Sequence, residues 1–261
     1  MAVLDAALPA APSVVTYRHS DWLLGDLVVA KGSSRVVVCI PARDEVRTIG
    51  PIVSCIRECL LESAGLVDEI LVVDDGSSDG TGSEALRHGA EVVLGPGLGK
   101  GEAMTAAKGR GDFVVFLDGD VANFSPHFVT GLLGPLLSRS GQVMVKGSYS
   151  RPLDGHPTGG GRVTELVAKP LLSLLFPDLC GVNQPLAGET ALCSEVLDGL
   201  ELVGGYGVEM GLLIDVWRRY GLGAIAQVEL GERCHRNRPL LELGPQAREV
   251  ISTALGRVGL L

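Results

Sequence analysis

Hydrophobic and polar positions along this chain fall into two periods that take turns. Short apolar runs rich in Val, Ile and Phe recur at "RVVVCI" (35–40), "EILVVDD" (69–75), "AEVVLG" (90–95), "DFVVFLDGD" (112–120), "QVMVKGSYS" (142–150) and "AIAQVEL" (224–230). Runs that are apolar at nearly every position fit strands covered on both faces. Between them lie segments with apolar residues three and four apart: "TIGPIVSCIRECLLES" (48–63), "GSEALRHG" (82–89), "KGEAMTAAKGR" (100–110), "PHFVTGLLGPLLSR" (126–139), "RVTELVAKPLLSLLF" (162–176), "GVEMGLLIDVWRRYG" (207–221) and "QAREVISTALGRV" (246–258). That spacing is helical. The alternation predicts an α/β fold, a Rossmann-like, mainly parallel sheet flanked by helices. Residues 1–34 show neither period and read as an irregular, peripheral extension. Residues 35–125 form a front half, and 126–261 a back half of the same compact unit. "RPLDGHPTGGGRV" (151–163) is rich in Gly and Pro and reads as a loop.

Composition narrows the class. The 261 residues are 46% hydrophobic, enough for a substantial core, and carry a formal charge of −9. An acidic chain without a basic run argues against nucleic acid as a partner. An anionic ligand must then be held by local cations or a metal, against the overall field. "MAVLDAALPAAPSVV" has no basic start and carries Asp5, so it does not read as a signal peptide. No apolar run reaches the roughly 18 residues of a membrane span. Six scattered cysteines read as reduced thiols. A cytoplasmic location is expected.

Three successive strands end in polar, chemically capable residues: "IPARDE" (40–45), "VVDDGSSDGT" (72–81) and "FLDGD" (116–120). Ligands of open α/β sheets bind beyond the carboxyl ends of the strands. Asp and Gly are ordinary turn residues singly, but three such ends together point to one site. Asp118 and Asp120, separated by Gly119, repel each other unless a cation intervenes. Mg²⁺ or Mn²⁺ suits one or two carboxylates completed by substrate phosphates. "GPGLGKGEA" (95–103) fails the P-loop spacing, and the turn after the first strand, "PARDEV", lacks dinucleotide-binding glycines. It remains a loop that carries Lys100 into a helix, toward a phosphate or a nucleotide edge. In "GGGRVTE" (159–165), glycine amides, a helix start, the Arg162 fork and the Thr164 hydroxyl suit an anionic acceptor.

"IPARDE", "VVDDGSSDGT", "GKGEA" and "FLDGD", in this order, resemble the metal-dependent GT-A nucleotide-sugar glycosyltransferases with an Asp-x-Asp motif. "KGSYSRPL", "GGGRVTELVAKPLL", "QPLAGE", "GYGVEMGLLIDV" and "HRNRPLLELG" are similar to segments of the glucosyl-3-phosphoglycerate synthases, retaining enzymes of this fold. The resemblance covers residues 15–259. It implies that Pro41, Ala42, Arg43, Glu45, Asp75, Ser77 and Lys100 bind the nucleotide sugar with Asp118, Gly119 and Asp120. Asp120 and His235 are the implied metal ligands, and Glu209 and Asp118 the catalytic carboxylates. Gly161, Arg162, Thr164, Tyr206 and Asn237 are the implied acceptor site. Where family members carry an aromatic and a second basic residue, this chain has Ser148 and Ser150. The expected function is transfer of a hexose-type sugar from a nucleotide diphosphate to a small anionic acceptor, with 3-phosphoglycerate first. The alternative is a GDP-sugar-dependent S-glycosyltransferase acting on the thiol of ergothioneine, as in lincosamide-type antibiotic pathways. A non-catalytic nucleotide-sugar-binding protein is the alternative of another class. The resemblance also implies a homodimer.

Overall fold

Alternation within the first apolar run decides the architecture. Val36, Val38 and Ile40 pack into one buried cluster, and Val37 and Cys39 into another, as the two-residue period of a strand dictates. A strand buried on both faces must run between two layers of helices. The computed structural model describes residues 13–153, 156–159, 161–234 and 239–261. Its strands are β1 (Val15–Arg18), β2 (Val36–Ala42), β3 (Glu69–Asp74), β4 (Glu91–Leu94), β5 (Phe113–Phe116), β6 (Met144–Ser150), β7 (Pro152–Leu153), β8 (His156–Gly159), β9 (Thr190–Cys193) and β10 (Ile225–Glu232). The helices are α1 (Leu24–Lys31), α2 (Val46–Ile56), α3 (Thr81–Arg87), α4 (Lys100–Met104), α5 (His127–Leu137), α6 (Lys169–Leu175), α7 (Ser194–Asp198), α8 (Val208–Tyr220) and α9 (Leu243–Arg257).

Eight strands form one sheet in the order β1-β10-β6-β9-β5-β2-β3-β4. Neighbours pair in parallel except at β9, which is antiparallel to both β5 and β6. α2 and α5 fill the first cluster, through residues such as Ile49, Ile52, Phe128 and Leu132. α4, α6, α8 and α9 fill the second, with Met104, Leu172, Leu212 and Val250 among the contributors. No described helix is long and apolar enough to cross a membrane.

This topology positions the site. Because β9 runs against its neighbours, the residues before it emerge at the same sheet edge as the residues after β2, β3, β5, β6 and β10. Both halves of the chain therefore present chemistry to one edge.

Three readings of the sequence are corrected. Residues 13–34 are not irregular. β1 extends the sheet by pairing with β10 at Val15↔Ala226 through Arg18↔Glu229. Lys31 on α1 is buried and donates to Gly65 O at 3.0 Å and Asp68 Oδ1 at 2.9 Å. The four residues of β1 are mostly exposed, so an apolar-run criterion misses an edge strand. The second correction is β9, four residues in a stretch to which the hydrophobic pattern assigns no element, since Thr-Ala-Leu-Cys carries no run of Val, Ile or Phe. The third is the "RPLDGHPTGGGRV" loop, which contains the β7–β8 hairpin, paired at Pro152↔Gly159 and Leu153↔His156.

The N-terminal segment also docks through Trp22, whose ring fills the space that a side chain at Gly134 would need on α5. Alanine in a helix interior ordinarily stabilises relative to glycine by up to about 1 kcal/mol. Here Gly134→Ala is expected to destabilise by roughly 1–3 kcal/mol, because a rigid indole must move. The check is the midpoint of chemical unfolding, which falls for Gly134→Ala and recovers in Gly134→Ala/Trp22→Leu.

Candidate active site

Three turns at the carboxyl edge set one side of the site. After β2 the chain passes Asp44 in the left-handed region at φ 56°. That turn is held by the Asp44 amide donating to Ser77 Oγ at 3.0 Å and the Ser78 amide donating to Asp44 Oδ1 at 2.8 Å. Aspartate is among the residues that enter this region most readily, and here its carboxylate is tied across to the turn after β3. After β3, Asp75 accepts the amides of Gly97 and Gly99, both at 2.8 Å. The glycine loop is thereby pinned, and α4 starts at Lys100. After β5 come Asp118, Gly119 and Asp120.

A cavity of about 370 Å³ opens between these turns and the back half. Pro41, Ala42, Arg43, Glu45, Asp75 and Lys100 stand in its wall with Asp118, Gly119 and Asp120. Gly161, Arg162, Thr164, Tyr206 and Glu209 complete it from the other side. Ser77 is not in the wall; it serves the turn beneath it. His235 and Asn237 lie outside the described residues.

The charges are chained. Lys100 Nζ contacts Asp118 Oδ1 and Glu209 Oε1, the latter at 2.6 Å. The Arg233 terminal nitrogen Nη2 donates to Asp118 Oδ2 and Asp120 Oδ1, each at 2.7 Å, while its Nε donates to Glu189 Oε1 at 2.8 Å. Glu189, fully buried, also accepts the Tyr149 hydroxyl at 2.6 Å. That hydroxyl accepts in turn from Arg151 Nη2 at 2.8 Å. Arg151 and Arg233 both lie over the Tyr149 ring, at 5.0 and 5.6 Å from its centroid.

Burial opposes the charged form of every member, and the partners decide the outcome. For Asp118, Lys100 and Arg233 overcome desolvation and hold the carboxyl below its usual range. Asp120 goes the other way: desolvation raises it, the Asp118 charge adds to the rise, and Arg233 only partly offsets both. Lys100 stays protonated above its usual range because Asp118 and Glu209 outweigh burial. Below the cluster, Lys146 is fully buried and donates to Ala187 O at 2.7 Å. Desolvation pushes its ammonium down to about 8, against the attraction of Glu209 and Glu189.

Close packing fixes the floor. A methyl group at Gly188 would overlap Asp118 and Lys100, and one at Gly101 would overlap the Val203 carbonyl. Tyr206 N donates to Glu249 Oε2 at 2.5 Å and Gly205 N to Glu102 Oε2 at 3.0 Å, so α4 and α9 clamp the turn that leads to Glu209.

Asp120, a quarter exposed, is the carboxylate that can take a divalent ion. Among the described residues no three His, Cys, Asp or Glu side chains converge on one point. One carboxylate facing a cavity, raised by burial and by a like charge, is the donor set of a metal completed by ligand oxygens, not of a closed protein cage.

Sequence reasoning missed Arg151, Arg233 and Glu189. The signal was there in part: Arg151 and Arg233 directly follow β6 and β10, as Asp118 follows β5. Their meeting required the unrecognised β9, which sets Glu189 between them.

Comparison with known proteins agrees with this geometry. The Glycosyl transferase family 2 profile matches residues 37–160. The glucosyl-3-phosphoglycerate synthase of Mycobacterium tuberculosis is 46% identical over 96% of this chain and 82% of its own length. Its crystal structure in complex with Mn²⁺, uridine-diphosphate-glucose and phosphoglyceric acid superposes with a TM-score of 0.85 at 46% identity, covering 95% of this chain and 88% of that one. The crystal structure of mannosyl-3-phosphoglycerate synthase from Rubrobacter xylanophilus gives a TM-score of 0.87 at 40% identity, covering 95% and 82%. The GT-A architecture expected from the motifs is the one observed. By sequence identity across nearly its whole length, the chain belongs to the glucosyl-3-phosphoglycerate synthase family of glycosyltransferases.

Proposed function

We propose that this enzyme is a retaining, divalent-metal-dependent glycosyltransferase that moves glucose from UDP-glucose to 3-phosphoglycerate. The observation that carries the reading is a single cavity that joins the Asp118–Asp120 turn and the Lys100–Glu209 pair to Arg151, Arg162 and Thr164. The nucleotide lies over Pro41, Ala42, Arg43 and Glu45. Asp120, with His235, holds Mn²⁺ or Mg²⁺, which supplies positive charge for the departing diphosphate. Asp118 and Glu209, locked to Lys100, accept hydrogen bonds from the sugar hydroxyls and orient it. The acceptor hydroxyl attacks the anomeric carbon from the face the phosphate leaves. The bond to the diphosphate oxygen breaks, the bond to the acceptor forms, and the leaving phosphate takes the acceptor's proton. Glu209 is ion-paired, so its part is orientation and not proton abstraction.

The acceptor assignment gains from Arg151. Ser150 removes the positive charge expected there, and its side chain is exposed with Oγ near Gly231 O. Arg151 restores a cation in the cavity wall, directly beside Gly161. Two guanidinium groups and the Thr164 hydroxyl suit an acceptor with both a phosphate and a carboxylate. Transfer to the thiol of ergothioneine, an acceptor with a carboxylate and no phosphate, gives that second guanidinium no anion on the acceptor to meet. The homodimer belongs to the same reading: Leu166 and Leu174, 71% and 78% exposed, offer an apolar surface on the helical stretch 164–175. Sedimentation equilibrium should give twice the chain mass, and Leu166→Glu/Leu174→Glu should give the monomer.

Chelation with EDTA should abolish glucosyl transfer, and Mn²⁺ or Mg²⁺ should restore it. Asp120→Asn should lower kcat/KM by about 10²–10³-fold, the scale of losing one electrostatic contact to the leaving group. Both are read by UDP release and by the mass of the glucosylated product.

Arg151→Ala should raise KM for 3-phosphoglycerate by roughly 10–100-fold, the loss of one charge-assisted hydrogen bond, with KM for UDP-glucose little changed. Initial-rate kinetics with each substrate varied separately provide the check. Product with ergothioneine and none with 3-phosphoglycerate would reverse the acceptor assignment.

A further inference from the structure

Arg233 occupies an unusual place for a cation. Its side chain is 2% exposed, yet it sits against the carboxylate that a divalent ion needs. One nitrogen, Nη2, gives its two protons to Asp118 Oδ2 and Asp120 Oδ1. The guanidinium is fixed from behind by Glu189 and by the Tyr149 ring, and its backbone amide donates to Ser150 O at 3.0 Å. It cannot swing clear without breaking all of these.

Two consequences follow from the geometry. Each oxygen of Asp118 already faces a cation, one Lys100 and the other Arg233. Asp120 shares its charge with Arg233, so a metal reaching its other oxygen meets a partly neutralised ligand and a fixed positive charge close behind it. A second cation brought beside the buried Arg233 guanidinium at this partly desolvated carboxylate is disfavoured until a counter-charge arrives. A nucleotide diphosphate brings that counter-charge.

We propose that Arg233 makes metal binding conditional on the nucleotide diphosphate: with the guanidinium on both aspartates, the ion is held weakly alone and tightly only once diphosphate oxygens complete the site. The proposal rests on the metal-dependent reading above. Coupling of this kind is reciprocal, so the metal must raise nucleotide affinity by the same factor. Arg233 is a positioning residue here: it sets the charge and orientation of Asp118 and Asp120 and does not itself meet the reacting atoms.

The experiment is titration of Mn²⁺ by electron paramagnetic resonance, counting free ion with and without UDP, on the full-length chain. For the unmodified protein, UDP should tighten Mn²⁺ binding by at least about tenfold. Arg233→Gln should bind Mn²⁺ without UDP at least about tenfold more tightly than the unmodified protein, and its gain from UDP should shrink. Arg233→Lys, which keeps the charge, should restore the dependence on UDP. Should Arg233→Gln not fold, Glu189→Gln provides the opposite lever. It removes one competitor for the guanidinium, so nucleotide-free Mn²⁺ binding should weaken while circular dichroism stays unchanged. The proposal is overturned if Arg233→Gln binds Mn²⁺ alone no more tightly and still gains fully from UDP, or if Glu189→Gln leaves nucleotide-free binding as it was. Absence of Mn²⁺ binding to the unmodified protein even with UDP is a different result, one that removes the metal-dependent reading itself.

Discussion

The site depends on one constraint: negative side chains held close together at low exposure must each be met by a cation. Lys100 meets Glu209 and Asp118, Arg233 meets Asp118, Asp120 and Glu189, and Arg151 reaches Glu189 through the Tyr149 hydroxyl; Lys146 lies below them, within the attraction of Glu209 and Glu189. No member is dispensable to its neighbours, because a buried charge that loses its partner costs far more than the pair gains. The arrangement is close to neutral before any ligand arrives. That balance is the electrostatic ground of the coupling proposed for Arg233.

The fold exists to bring those groups to one line. Seven parallel strands point their carboxyl ends at the same edge, and one antiparallel strand turns the chain so that Glu189 and Gly188 arrive there from the opposite direction. The two buried clusters on either face leave the sheet little freedom to shear. Positions at its rim are then as reproducible as the core beneath them. Gly188 illustrates how tight the tolerance is, since even one methyl would collide with Asp118 and Lys100.

Much of this was legible in the sequence. The long apolar runs announced β2, β3, β5 and β6, and the polar endings "PARDE", "DDGSSD" and "DGD" announced the donor edge, because burial on both faces and turn chemistry leave strong local marks. Arg162 and Thr164 showed through the glycine-rich "GGGRVTE" stretch, whereas Glu209 took its role only through resemblance, since one acid at a helix start says little. β1 and β9 stayed hidden because neither carries the Val- and Phe-rich run that marked the equally short β4 and β5, so only backbone pairing defines them. Arg233 and Arg151 stayed hidden for the same reason: each looks like a solvated charge until the strands that carry it are placed side by side. Asp75 was read as a nucleotide contact, and it also serves the protein's own backbone.

That service by Asp75 has a thermodynamic meaning. A segment reading Gly-Pro-Gly-Leu-Gly has three glycines' worth of conformational freedom to lose, reduced only in part by its proline. If it were ordered only by an arriving sugar nucleotide, the ordering entropy would be subtracted from affinity at every turnover. Two amides fixed on one buried carboxylate move that entropy loss into folding, where it is incurred once per molecule. Lys100 then waits in place, and donor binding keeps the interaction energy that a floppy loop would have consumed.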